Sequence, residues 1–345
     1  MRSRGRATGS GRPDEAPSRC VFTDDRQAPP TLEATKVIWK DVRVGVRSAY
    51  WEQVRASGFR LPDDRPLDDL TTELVEMLGD PDPHTRQGIA YPVLSTWISE
   101  GVYDDLLAGF GDGISEGLFT GLGEDGTDSV LRRSYSASLL ASAIMRDHVA
   151  RVVHSDAIFR WGDRAASWFV RERDLRGYIE GRGWAAAVAH GADLIGALAR
   201  SPHFGKLELT VLLDVVADRL LTPTRYRFVH GEDDRLALAI MAVLHRNTLG
   251  IDVLEPWVER LATGLVPPPV KDGDPPPEWP TPTAGNTAAF LRALHLQLAL
   301  GVQGYPTPQD AALFANPPHV RADLLLVLIR VLRSSQPHLF AQPRR

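Results

Sequence analysis

Cysteine is almost missing: Cys20 stands alone in 345 residues, so neither an intrachain disulfide nor a cysteine-built zinc site can form. Lysine is nearly as scarce, occurring only at Lys36, Lys40, Lys206 and Lys271, and arginine supplies the other basic side chains. That bias reads as coding preference and says little about function. Long blocks of one charge sign are also lacking, and 39 basic against 44 acidic residues leave a net charge of -5. Such a balance exerts no overall pull on a phosphate backbone, so nucleic acid is not the expected partner. Nowhere do about 18 apolar residues run uninterrupted, which excludes a predicted membrane span. Even LLLVLIRVL from Leu324 is short and broken by Arg330. Behind Arg2, Arg4, Arg6 and Arg12 come Gly, Pro and acidic residues instead of the apolar core of a signal peptide, so a cytoplasmic location is expected.

The usual signatures of chemistry are missing too. Gly113 to Gly117 matches G-x-S-x-G in letters, but that motif needs a strand to deliver its serine onto a tight turn. Here LLAGFGDG precedes it and GLGEDGTD follows, which is ordinary loop composition. Glu124, Asp125 and Asp128 carry oxygen ligands without the spacing and final glutamate of a calcium loop, and Thr127 or Asp128 reads more simply as a helix cap. Neither a Walker A sequence nor a dinucleotide fingerprint is present, so no cofactor is expected. The histidines form no tight ligand spacing, and no metal is expected. Were there one, His190 and Asp193 with His230 or His245 would be the first ligands to test.

What remains is helix. Residues 1–46 are rich in Arg, Gly, Pro, Ser and Asp and poor in periodic apolar residues, which predicts a disordered tail. From Ser48 the texture becomes helix pairs, beginning with SAYWEQVRASG, which Gly58 stops. The acidic turn Gly79 to Pro83 opens a helix over His84 to Ser99, with Arg86 early and Ala90, Val93, Leu94, Trp97 and Ile98 near one face. Similar openings recur near Asp128, His230, Asn286 and His319; measured from Arg86 through Arg132 and Arg235, the intervals are irregular, at about one or two times 50 residues. Amphipathic partners at Ile158 to Arg173, Leu207 to Leu221 and Ile251 to Leu261 lie between them. Arg235 to Leu244 is apolar on nearly all sides and is the candidate for the most enclosed helix. Period-2 alternation with hairpin turns is absent, so no sizeable sheet is expected. The fold class is therefore all-α, a HEAT-like array of helical hairpins forming an α-solenoid over 47–335. A proline-rich insertion at 266–283 interrupts it, Asn286 is the expected cap of the helix beyond, and a short polar tail occupies 336–345.

The stretch from Arg171 to Phe204 organises the chain. Trp184 to Arg200 reads as one helix, because at about 100° per residue Trp184, Ala187, Val188, Gly191, Leu194, Ile195 and Leu198 share a face. His190 and Asp193, three residues apart, lie together on the flank of that stripe among Ala186, Ala189, Gly196 and Ala197. Small residues there let a neighbouring backbone or a ligand come close. Just upstream, Arg171, Glu172, Arg173, Asp174 and Arg176 form either a mutually paired face or an anion clamp. The run DLRGYIEGRGWAAAVAHGADLIGALA from Asp174 resembles the central signature of the bacterial family called domain of unknown function 2785. The likeness extends to DPDPHTRQGIAYPVLSTWI upstream and GEDDRLALAIMAVLHR downstream, covering roughly residues 50 to 300. It implies a soluble helical protein with no assigned activity and supplies no catalytic residues. Because it begins only near Tyr50, the tail is a candidate upstream-start artefact, with Val42, Val44 or Val46 as native start.

Two functional expectations follow. The first is a scaffold that binds a protein or peptide in a central concave groove lined by Trp184, His190, Asp193, Arg176 and Arg235. The second, from another class, is an enzyme or small-ligand binder in which His190 acts as general base and Asp193 orients it. A third and weaker one, DNA on the concave face, requires a basic stripe.

Overall fold

The apolar spacings resolve into a succession of helices. The computed structural model describes residues 49–267 and 279–335; the expectations for the tail at 1–46, the centre of the insertion at 268–278 and the end at 336–345 lie outside the described residues. The described part of α1 is 49–56, ended at Gly58, whose φ of +76° suits glycine. Then come α2 (Leu67–Met77), a π-helical stretch (His84–Ala90) running into α3 (Tyr91–Glu100), α4 (Leu107–Glu116), α5 (Ser129–Ala150) and α6 (Ser155–Arg171). A two-residue antiparallel pair, β1 (Tyr178–Ile179) and β2 (Gly183–Trp184), precedes α7 (Ala187–Arg200). The series ends with α8 (Lys206–Leu221), α9 (Glu232–His245), α10 (Ile251–Thr263), α11 (Pro282–Leu300), α12 (Pro308–Leu313) and α13 (Arg321–Ser335). Among the described residues this strand pair is the only sheet, and no helix is long and apolar enough to cross a membrane.

The helices pack in two rows. One runs α3, α5, α7, α9, α11, each touching the next; the other runs α4, α6, α8, α10, and α13 packs on both α10 and α11. Sequence patterning explains the sorting. On α6, Ala157, Ile158, Trp161, Ala165, Trp168 and Phe169 form one buried stripe with a charged face opposite, as suits a helix covered on one side. On α9 every residue from Leu236 to His245 except Leu238 is buried, in keeping with its apolar circumference and its place between α7 and α11. Gly191 of α7 lies against the Phe169 ring, where a side chain would collide, so the small-residue shelf serves close approach to α6 on that side.

A buried polar knot joins the rows at the end of α6. Glu172, which caps that helix, takes Arg133 of α5 in a two-pronged bond of 2.5 and 2.8 Å. It also accepts from the Trp168 indole at 3.0 Å and from the backbone N–H groups of Arg173 and Asp174. Both partners are essentially inaccessible, with side-chain exposures of 0% and 1%. Asp174 continues the knot, accepting from the Gly126 amide at 2.9 Å and from Arg176 at 2.8 and 2.6 Å. Much of the charge cluster before α7 is thus an internal brace.

Three expectations change. The glycine-rich run before Gly117, read as loop composition, is helix α4, whose Leu107, Phe110 and Ile114 recur at helical spacing and are buried. The helix predicted from Trp184 starts at Ala187, because Gly181 and Gly183, at φ +71° and +75°, turn the chain into the β1–β2 hairpin, and Ala186 then sits at φ +51°. Trp184 is consequently 41% exposed, while the other members of its predicted face are buried. Asn286 does not cap α11: Thr281 does, accepting from the Ala284 amide. Asn286 lies inside the helix and ties down the α8–α9 loop, accepting from Phe228 N–H and donating to Tyr226 carbonyl, both at 2.9 Å.

Candidate functional site

A groove of about 610 Å³ lies along the row of α3, α5, α7 and α9. Helical spacing builds it. On α5, Ser138, Ser142, Met145 and Val149 recur at three- and four-residue intervals and line it, and on α7 Asp193 and Ala197 do the same. Tyr91 and Ser95 come from α3 and Arg235 from the first turn of α9. Ser138 donates to the Tyr91 hydroxyl at 2.9 Å, and Ser142 donates back to the Ser138 carbonyl, which leaves hydroxyls over a floor of Ala141, Met145 and Ala197.

Two charged groups line the groove: Arg146, paired with Asp104, and the Asp193–Arg235 pair. The guanidinium meets the carboxylate with two nitrogens, Nε at 3.0 Å from Oδ1 and Nη2 against Oδ2. Arg235 keeps 43% of its side chain exposed and Asp193 21%, so the pair faces the groove. Burial raises the Asp193 pKa, and Arg235 opposes that rise. One turn earlier, His190 points its Nδ1 at Ser134 of α5, 2.8 Å from Oγ and 3.2 Å from the carbonyl. Ser134 Oγ itself donates to the Ala185 carbonyl, so Nδ1 carries the proton and donates to Ser134. The ring also meets Tyr135 edge to face, at 5.1 Å between centroids. Burial first, and then the Arg235 charge, pull the His190 pKa down to about 4, so it is neutral at pH 7.

The segment after α11 forms the remaining wall. Tyr305, Thr307 and Gln309 line the groove, and a buried ion pair holds them in place: Arg200 at the end of α7 with Asp310 of α12, 2.9 Å from Nε to Oδ1. Arg200 also lies over the rings of Tyr305 and Phe314, and Asp310 accepts from the Tyr305 amide at 2.7 Å. His148 lines the same groove with its Nδ1 buried and unpartnered. Burial, and secondarily Arg151, lower its pKa.

Of the residues singled out from the sequence, Asp193 and Arg235 meet directly, and His190 shares their face of α7. His190 and Asp193 are not hydrogen-bonded to each other, each being engaged elsewhere. Trp184 and Arg176 belong to the loop before α7: Trp184 contacts the rings of Tyr178 and His230 at 5.4 and 5.2 Å, and Arg176 is held by Asp174. The His245 ring lies tilted against Phe314, with centroids 4.5 Å apart. Among the described residues no group of three His, Cys, Asp or Glu could hold a metal. Ser115 of the G-x-S-x-G run sits inside α4, its hydroxyl donating to the Asp112 carbonyl, so the strand-turn-helix context is missing. Of the acidic loop, Glu124 holds Thr127 and Ser129, Asp125 holds Tyr226 and Arg225, and Asp128 pairs with Arg182.

Tyr91, Ser138, Ser142, His148 and Tyr305 were not foreseen as lining residues. The four-residue spacing of Ser134, Ser138 and Ser142 along one face of α5 is the available signal. Tyr305 offered none, since only the fold-back of its segment brings it there. Compared with known proteins, residues 118–296 match a family model described as Protein of unknown function (DUF2785). The chain matches no curated protein and no solved structure.

Proposed function

Because the chain belongs to the DUF2785 family, a membership that brings no assigned activity, we propose from the site itself that it is a binding protein whose groove takes a segment of a protein or peptide partner. On this reading 47–335 is one HEAT-like helical-repeat domain and the groove is its concave side. Support comes from the two rows of helices, each touching the next in chain order, which is how repeat arrays distribute their contacts. The observation that carries the binding role is how the polar groups are engaged. Asp193 is taken by Arg235 and the Nδ1 side of His190 by Ser134, so no acid orients the histidine as a base, while hydroxyls and a half-exposed guanidinium line the wall. Such a surface recognises backbone amides and charged side chains by complementarity and needs no turnover.

A photo-crosslinking residue in place of Ser142 tests this in cells that express the full chain. Capture of one defined partner, lost when Arg235→Glu is added and absent with the crosslinker at Asp214 outside the groove, is the expected result. No capture at Ser142, or equal capture at both positions, overturns it.

A second reading has its own support. About 610 Å³ falls in the range of small-molecule sites, and His148 presents a buried, unpartnered Nδ1 on the wall, so a small polar metabolite, bound or converted, also fits. A thermal-shift panel of metabolites separates the two. A ligand that stabilises the wild type but not His148→Gln favours this second reading.

A further inference from the structure

The arginine cluster before α7 is only partly absorbed by the buried knot. Where α6 ends, a second cleft of about 1390 Å³ opens, sharing no lining residue with the groove. Arg219 of α8 lies in its wall with only 3% of its surface exposed. Its Nη1 caps α6, reaching the carbonyls of Phe169 at 3.1 Å and Glu172 at 2.6 Å. Its Nε is buried and has no hydrogen-bond partner. Among the described residues no carboxylate pairs with Arg219, because the nearby Glu172 is already occupied by Arg133. Arg219 is therefore buried without a direct ion pair; burial lowers its pKa to about 10, against the pull of the nearby Glu172 charge.

The rest of the lining fits that charge. Arg171 and Arg173 flank the cleft, both exposed and neither paired with a carboxylate among the described residues. Thr224 accepts from the Tyr226 amide, which leaves its hydroxyl proton free to donate. The acidic residues at the rim are committed: Asp125 to Arg225 and Tyr226, Glu124 to Thr127 and Ser129.

We propose that this cleft is an oxyanion site for a small phosphate- or carboxylate-bearing ligand, with Arg219 as the fixed charge and Arg171, Arg173 and Thr224 as the donors that close on it. A guanidinium edge with two parallel N–H groups matches the oxygen spacing of either anion, and burial strengthens the bond. Two unpaired arginines at the mouth add attraction on approach.

Isothermal titration of the full chain at constant ionic strength tests this, with inorganic phosphate, acetate and chloride as separate titrants. Saturable heat with phosphate, with acetate or with both, but not with chloride, is expected; which of the two binds identifies the group carried by the ligand. The double variant Arg171→Ala, Arg173→Ala removes only exposed side chains and should bind about tenfold more weakly with an unchanged unfolding midpoint. Arg219→Lys, which keeps the charge but loses the unpartnered Nε donor, should weaken binding further. Heats for phosphate and acetate no larger than for chloride, or undiminished affinity in the double variant, would overturn the assignment.

Discussion

Two arginine–carboxylate pairs, Arg133 with Glu172 and Arg235 with Asp193, are alike in chemistry and opposite in setting. The first is sealed, with every oxygen of Glu172 spoken for by Arg133, an indole and two amides. The second opens on a groove and keeps 43% of its guanidinium accessible. A sealed pair has already exchanged water for fixed partners, so it braces the fold and has nothing left for a ligand. A half-open pair contributes little to stability, yet it can trade one partner for another.

Breaking the sealed pair gives the largest expected effect: Glu172→Gln should cost about 3–5 kcal/mol in urea unfolding, because Arg133 is left buried and uncompensated. A loss no greater than that of an exposed pair would erase the contrast. Next comes Asp310→Asn, which loosens the Arg200 tether of the groove wall. About 1.5–3 kcal/mol of stability should go, with faster amide hydrogen exchange concentrated in 301–314. Unfolding and exchange measured on the same variant check whether this pair behaves as sealed. Asp193→Asn should move the unfolding free energy by less than about 1 kcal/mol while weakening capture at the groove, and a cost comparable to Glu172→Gln would place Asp193 among the braces.

The smallest effect is a slope. An unfolded imidazole titrates near about 6.5, and folded His190 near about 4. Between those values the unfolded chain binds a proton that the folded chain refuses, so this contribution rises with pH, is complete above about 6.5 and is lost as pH falls toward 4. Asp193, whose pKa is raised on folding, contributes in the opposite sense, being most favourable where it is protonated. His190→Gln should therefore flatten stability against pH between about 4 and 6.5 relative to wild type, and unfolding at several pH values measures it. An unchanged slope would show that solvent reaches the ring freely.

Apart from α4, whose three glycines read as loop, the helices from α2 to α11 are largely legible because their apolar residues recur at helical spacing over two or more turns, as in the Trp161, Ala165, Trp168 series of α6. Trp184 misleads because its spacing fits the α7 stripe, whereas Gly181 and Gly183, at φ +71° and +75°, turn the chain before α7. Asn286 misled because an Asn ahead of an apolar run resembles a cap, whereas its amide was needed 58 and 60 residues away. Asp193 and Arg235 were legible as groove candidates, yet nothing in the order of residues marked them as mutual partners 42 positions apart.

Residue type and periodicity by themselves decided that this chain is helical, which faces of most helices are buried, and that an intrachain disulfide and a cysteine-built zinc site are excluded, since these depend on composition and local spacing. Tertiary packing decided who partners whom. Only when α5, α6 and α8 meet is Glu172 sealed and Arg219 buried without an ion pair, and only when α7 and α9 lie side by side does the Asp193–Arg235 pair form half open, because desolvation depends on what surrounds a charge and not on its neighbours in the chain.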